Sequence, residues 1–174
     1  MRQVVCQEIG PVEHLEVVER PDPIPGPGEL LIEVAATGVN YVDGLFVQGE
    51  YQITPSTPFV PGGEVAGVVA QLGAGTHGVE VGDRVIATTG LGGFASKVLA
   101  RPSQCFAVPD AMSATQAATF VQSYCTALFA LRERADVAAG EVVLVLGAAG
   151  GVGRAAIDVA PAPRASVIAA APSP

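Results

Sequence analysis

Five consecutive apolar residues, Val142-Val143-Leu144-Val145-Leu146, run without a spacer into Gly147-Ala148-Ala149-Gly150-Gly151-Val152-Gly153. A short run rich in β-branched residues is the kind of strand that a parallel sheet buries on both faces. A helical stretch, Arg154 to Ala160, follows the glycines, and Ser166 to Ala171 reads as a second strand. Strand, glycine turn, helix and strand in that order confine this part of the chain to a β-α-β unit. The spacing Ala148-x-Gly150-x-x-Gly153 is the dinucleotide fingerprint with alanine in place of its first glycine. A tight turn needs a small residue first, Gly150 lets the backbone approach a pyrophosphate, and Gly153 lets the helix pack closely on the strand. The free N–H groups and positive end of that helix then hold the anion. A unit that binds NAD places Asp or Glu about 20 residues beyond the motif. Val167 to Ser173 contains neither, which favours NADPH, although no Arg or Lys stands there to receive a 2′-phosphate.

The residues before this unit follow a different period. Arg2 to Glu8, Leu15 to Glu19, Glu29 to Thr37, Glu64 to Leu72, Arg84 to Thr89, Phe94 to Leu99 and Cys105 to Val108 read as short strands. Glycine and proline punctuate them, most densely in Pro21-Asp22-Pro23-Ile24-Pro25-Gly26-Pro27-Gly28, an extended surface loop. Many short strands without a long helix predict a small closed or partly closed β-barrel. After Pro109-Asp110 the apolar period becomes helical. Ser113-Ala114-Thr115-Gln116 is a capping-box sequence, and Ala117, Ala118, Phe120, Val121, Tyr124, Cys125, Leu128, Phe129 and Leu131 continue one helix to about Arg134. The expected fold is therefore mixed α/β, with a barrel domain at 1–112 and, at 113–174, a linking helix and the first β-α-β of a nucleotide-binding segment.

Charge and composition exclude several classes. With 9 Lys+Arg against 17 Asp+Glu the net charge is −8, and no basic run is available to neutralise a nucleic acid or an anionic membrane. The Val142–Gly153 stretch is too short and too rich in glycine to span a bilayer. A charge at Arg2, and another at Glu8, precede any apolar signal core, so a cytoplasmic location is expected. Cys6, Cys105 and Cys125 are odd in number and far apart, as are His14 and His77, so neither a disulfide framework nor a metal site is expected.

Gly38-Val39-Asn40-Tyr41-Val42-Asp43, Gln48-Gly49-Glu50-Tyr51, Pro58 to Val69, Gly82-Asp83-Arg84-Val85, Gly92-Gly93-Phe94-Ala95, Tyr124-Cys125-Thr126-Ala127 and the AAGGVG turn occur in that order. Together they resemble the medium-chain dehydrogenase/reductases, and more narrowly their zinc-free quinone oxidoreductase branch. The resemblance implies a GroES-like β-barrel catalytic domain followed by a Rossmann domain, with NADPH and substrate in the cleft between them. Asn40 and Gly63 stand where zinc-dependent members carry a cysteine and a histidine ligand, so it implies chemistry without a metal. Hydride transfer to a quinone or to the β-carbon of an enone needs orientation and hydrogen bonds to the developing oxyanion, and few titratable side chains.

By the same resemblance Asn40 lies at nicotinamide and substrate, Tyr51 acts on the substrate as in enoyl-thioester reductases, Thr126 lies near the nicotinamide, and Ala148, Ala149, Gly150, Gly151, Val152 and Gly153 run under the pyrophosphate. Each has a structural alternative. Asn40 can cap a short helix starting near Tyr41, Tyr51 can pack against the Pro55 and Pro58 loop, and Thr126 can bond back to the preceding helical turn. Asp43 suits the first turn of the Tyr41 helix, Glu64 either a cleft or a bond to neighbouring backbone, Tyr41 a hydrophobic mouth and Phe46 the core. The chain is much shorter than the family pattern, Pro161 and Pro163 fall where the first Rossmann helix should continue, and an irregular tail from Pro161 to Pro174 is expected. An open apolar strand edge at Val142–Leu146 would then need a partner. The expected partner is a small quinone or enone, with a homodimer possible. An enoyl-thioester reductase and a non-catalytic GroES-like interaction module or inactive fragment are the alternative functions.

Overall fold

The computed structural model describes residues 1–160 and 165–172. Two compact units divide the chain, Met1–Thr119 and Phe120–Pro174.

The first unit is built on a five-stranded antiparallel sheet in the order β6-β3-β4-β5-β7, comprising β3 (Leu30–Gly38), β4 (Glu64–Leu72), β5 (Arg84–Thr88), β6 (Lys97–Ala100) and β7 (Cys105–Ala107). A hairpin of β1 (Arg2–Cys6) and β2 (Leu15–Glu19) joins it through single bridges from Gln3 to Ala95 and from Cys6 to Phe59. Strand β3 opens with three buried residues, Leu30, Leu31 and Ile32, so alternation shows only beyond them. Leu30 and Ile32 are fully buried with Val65, Val69, Val85, Ala87, Val98 and Ala100, while Glu33 points to solvent. The register of β3 on β4 slips at Leu31/Ile32 and again at Val34/Ala36, irregularities of the kind that bend a strand and increase its twist. A second cluster of Cys6, Val47 and Phe59 seats α1 (Tyr41–Gln48), with Phe46 packed against it as core filling.

Helix α2 (Ala114–Ala117) starts as its sequence predicts. The Ser113 hydroxyl accepts the Gln116 N–H at 3.3 Å, and the Gln116 side chain accepts the Ser113 N–H at 3.0 Å. The single helix expected from Ser113 to about Arg134 does not form. The segment stops after Ala117, turns through 118–120, and resumes as α3 (Val121–Leu128) followed by π-type turns over Phe129–Arg134. The break has a tertiary cause: α2 packs on β3 and β4, and the Ala118 carbonyl lies so close to Gly38 that a Cβ there would stand 2.1 Å from it. The Thr119 hydroxyl also bonds back to the carbonyls of Thr115 and Gln116.

The second unit contains α3 and a parallel pair, β8 (Val142–Leu146) and β9 (Ser166–Ala170), with α4 (Gly151–Val159) packed on β8 and on α3. Helix α4 begins three residues earlier than the sequence suggests, with Gly150 as its N-cap, and ends at Val159. Tyr124 Oη donates to Asp158 at 2.5 Å and fastens α3 to α4. Two expectations are corrected. Strand β8 is not buried on both faces: Val145 is covered, whereas Val142, Leu144 and Leu146 are exposed together with Ile168. The tail is not irregular throughout, since Ser166–Ala170 pairs in register with β8. Pro161 and Pro163 lie outside the described residues.

Candidate functional site

Asn40 ends the loop that leaves β3 and stands at the N-terminus of α1. Asp43, one turn into that helix, is 3% exposed and accepts the Asn40 N–H at 2.8 Å on Oδ2 and the Gly62 N–H at 3.2 Å on Oδ1. Burial pushes the Asp43 carboxyl above the usual carboxylate range, opposed by the N–H groups of Asn40, Gly62 and Gly63. Gly62 has φ +97 and faces Phe94 so closely that a Cβ would stand 2.5 Å from the ring, so no larger residue fits this corner. One carboxylate thus ties the start of α1 to the loop entering β4.

The backbone of Asn40 is fixed, but its side chain makes no capping hydrogen bond, and Nδ2 is sealed from solvent without a partner. A buried donor left unpaired costs about 1–3 kcal/mol. Tyr51 packs its ring edge-on against Phe46, centroids 4.8 Å apart, and its hydroxyl bonds to nothing among the described residues. No hydrogen bond joins Asn40 to Tyr51. Tyr41, 86% exposed, and Val39, 79% exposed, flank Asn40 with apolar surface. Glu64 is fully buried at the start of β4, opposite Gly38 and Thr88.

In the second unit the glycine turn forms the corner its spacing demands. The chain leaves β8 through Gly147 (φ +67), the Gly150 N–H closes the turn on the Gly147 carbonyl at 3.0 Å, and Arg154 makes the first helical bond to Gly150. The N–H groups of Gly151, Val152 and Gly153 have no acceptor among the described residues. At Gly153 a Cβ would lie 2.3 Å from the Gly147 carbonyl oxygen, so only glycine lets helix and turn approach this closely. Ala148 is buried, and Ala149, Gly150, Gly151 and Val152 are exposed. A solvent-facing helix start with three free donors fits a dinucleotide's phosphates.

Thr126 is exposed on α3 and its hydroxyl is engaged by the Gln122 carbonyl at 2.6 Å, the local alternative for a mid-helix threonine. An open cleft of about 460 Å³ in the first unit, lined by Val79, Arg84, Cys105, Phe106 and Asp110 among others, includes none of the candidate site residues Asn40, Tyr51, Thr126 and 148–153. Burial pushes the Cys105 thiol there up to about 11, which leaves it protonated and unreactive. Among the described residues no group of three or more His, Cys, Asp or Glu could hold a metal ion, and no helix is long and apolar enough to cross a membrane. Sequence reasoning missed the reach of Asp43 across to Gly62 and Gly63, and the position of Ser123 on α3; neither contact has a local signature.

Residues 26–110 match the alcohol dehydrogenase GroES-like domain. The chain is 40% identical over 160 residues to quinone oxidoreductase-like protein 2 of Rattus norvegicus, covering 91% of this chain and 45% of that protein. Among solved structures it is similar to human synaptic vesicle membrane protein VAT-1 homolog-like protein (TM-score 0.92, 37% identity, 97% of this chain and 55% of that one). It is similar also to the quinone oxidoreductase of Thermus thermophilus, solved alone and with NADPH (TM-score 0.87, 37% identity, 100% and 54%). The CurK enoyl reductase gives a TM-score of 0.87 at 32% identity over 97% of this chain and 53% of that one. Residues 26–110 thus carry an alcohol dehydrogenase GroES-like domain, and the relatives of the chain are quinone oxidoreductase-like proteins and oxidoreductase structures of similar fold. It spans about half the length of the curated relatives it matches.

Proposed function

We propose that the chain carries out, or contributes to, NADPH-dependent reduction of a quinone or an α,β-unsaturated carbonyl without zinc. The observation that carries this reading is the start of α4, where Gly151, Val152 and Gly153 offer free N–H groups in a turn kept open by glycine. NADPH, when bound, supplies a hydride. In this reading Ala148, Ala149, Gly150, Gly151, Val152 and Gly153 bind its pyrophosphate, and Thr126 lies beside its nicotinamide half. Asn40 lies at the nicotinamide and substrate, where its unpaired Nδ2–H must turn out of its sealed position to donate to a carbonyl oxygen, and Asp43 holds the Asn40 backbone in place. A donor aimed where negative charge develops on oxygen stabilises the reduced product as it forms. Tyr41 and Val39 offer the apolar surface that a planar quinone or enone needs. Asn40 and Gly63 where zinc-dependent members carry ligands support the metal-free chemistry, and a cytoplasmic location belongs to the same reading.

The second reading, an enoyl-thioester reductase, is favoured by the unbonded hydroxyl of Tyr51 and by the likeness to CurK enoyl reductase. There Tyr51 orients the thioester enolate or returns its proton. The test is to mix the purified chain with NADPH and either naphthoquinone or an enoyl-CoA and follow cofactor absorbance. Oxidation with the quinone supports the first reading and oxidation with the enoyl thioester alone the second; absence of both binding and oxidation overturns both.

A further inference from the structure

Ser123 lies on α3 and is 7% exposed, one of three buried polar residues among those described. A serine inside a helix ordinarily satisfies its hydroxyl on the carbonyl three or four residues earlier. Thr126 on the same helix does so at 2.6 Å. Ser123 does not: its hydroxyl makes no hydrogen bond among the described residues. Instead Oγ faces the first turn of α4, 3.1 Å from where a Cβ on Gly151 would stand. Asn40 Nδ2 is the one side-chain nitrogen or oxygen among the described residues that is both sealed from solvent and unpartnered, so the Ser123 oxygen keeps a path to solvent.

A nine-tenths buried hydroxyl without a partner, aimed at a helix start whose Gly151, Val152 and Gly153 N–H groups are also free, is a fourth donor at one anion site. Its position explains Gly151 as well, since any side chain there would press on Oγ and close the approach. The contact is held in place by the Tyr124–Asp158 hydrogen bond, which links the same two helices. We infer that Ser123 is a phosphate ligand, donating its hydroxyl to a diphosphate oxygen of the dinucleotide gripped by the N-terminus of α4. The inference rests on the cofactor reading above and adds to it a residue from outside the glycine motif.

The test titrates wild-type chain and Ser123→Ala with NADPH and, separately, with inorganic pyrophosphate, and records the thermal midpoint of each protein without ligand. The expected result is a roughly tenfold weaker affinity of Ser123→Ala for both ligands with an unchanged ligand-free midpoint, as befits a hydrogen bond to a charged group. Equal affinities in the two proteins overturn the inference and leave the cofactor reading standing. A weakened affinity accompanied by a lowered ligand-free midpoint also overturns it, because the hydroxyl then serves the fold. Should Ser123→Ala not fold, Ser123→Cys, similar in volume but a poor donor, is judged by the same two outcomes. If the wild-type chain binds neither ligand, the cofactor reading fails and this inference fails with it.

Discussion

Asp43 accepts the backbone N–H of Asn40 at 2.8 Å while its other oxygen accepts that of Gly62 at 3.2 Å, so a single buried carboxylate sets where the Asn40 side chain starts. An aspartate at this place is more than a helix-end charge. It spans from α1 to the corner that enters β4, and the N–H groups of Asn40, Gly62 and Gly63 face it there.

Asp43→Asn therefore puts an amide NH2 against one of those N–H groups. The expected cost is about 1–3 kcal/mol in a urea titration, the penalty of one buried donor left unsatisfied. Because burial holds the folded carboxyl above its unfolded value, folding favours the protonated form. That contribution is full below the unfolded value and is lost as pH rises through the folded one. The variant, which does not titrate, should lack this slope in stability against pH.

Asp22 behaves in the opposite sense. Hydrogen bonds from Lys97, at 2.5 Å, and from the N-terminal ammonium hold its carboxyl down from 3.8 to about 2. The stability it contributes is present above about 4 and is lost as pH falls toward about 2. The difference in stability between wild type and Asp22→Asn should shrink across that window and, for an exposed pair, shrink also with added salt.

Ser113→Ala removes the hydroxyl that accepts the Gln116 N–H. Loss of an N-cap costs about 1 kcal/mol. The change should lower the thermal midpoint without altering NADPH affinity, since Ser113 belongs to the first unit and the glycine corner to the second.

Gly153→Ala is expected to abolish NADPH binding while leaving the first unit folded. The new methyl would stand 2.3 Å from the Gly147 carbonyl oxygen and 2.9 Å from Ala148 Cα, both backbone atoms that cannot swing aside. The turn must open, and the three free N–H groups lose their common aim. Unchanged NADPH affinity in a fluorescence titration would remove the glycine corner from the account.

Much of this was legible in the residues. Alternation in Glu29–Thr37 put Leu30 and Ile32 on one face of β3, where they are buried, though it did not foretell that Leu31 opposite is buried as well, and Ser113 with Gln116 announced the start of α2. The break at 118–120 was not, since Ala117, Ala118 and Phe120 keep helical spacing. The contact that ends α2, the Ala118 carbonyl over Gly38, joins segments far apart in sequence. The same holds at the candidate sites. The glycine spacing predicted a strand-to-helix turn and the structure forms one, but nothing local shows that Asp43 reaches Gly62 or that Ser123 faces Gly151. Strand β8 illustrates the converse: a run apolar at every position gave no sign of which alternate residues this chain covers, and Val145 is buried where Leu146 is bare.

The central claim is that the first turn of α4 holds a dinucleotide by its linking phosphates. Calorimetric titration of the chain with NADPH, repeated in the presence of inorganic pyrophosphate, tests it most directly. The account predicts saturable binding of one NADPH per chain that pyrophosphate competes away; no binding, or binding that pyrophosphate leaves untouched, would contradict it.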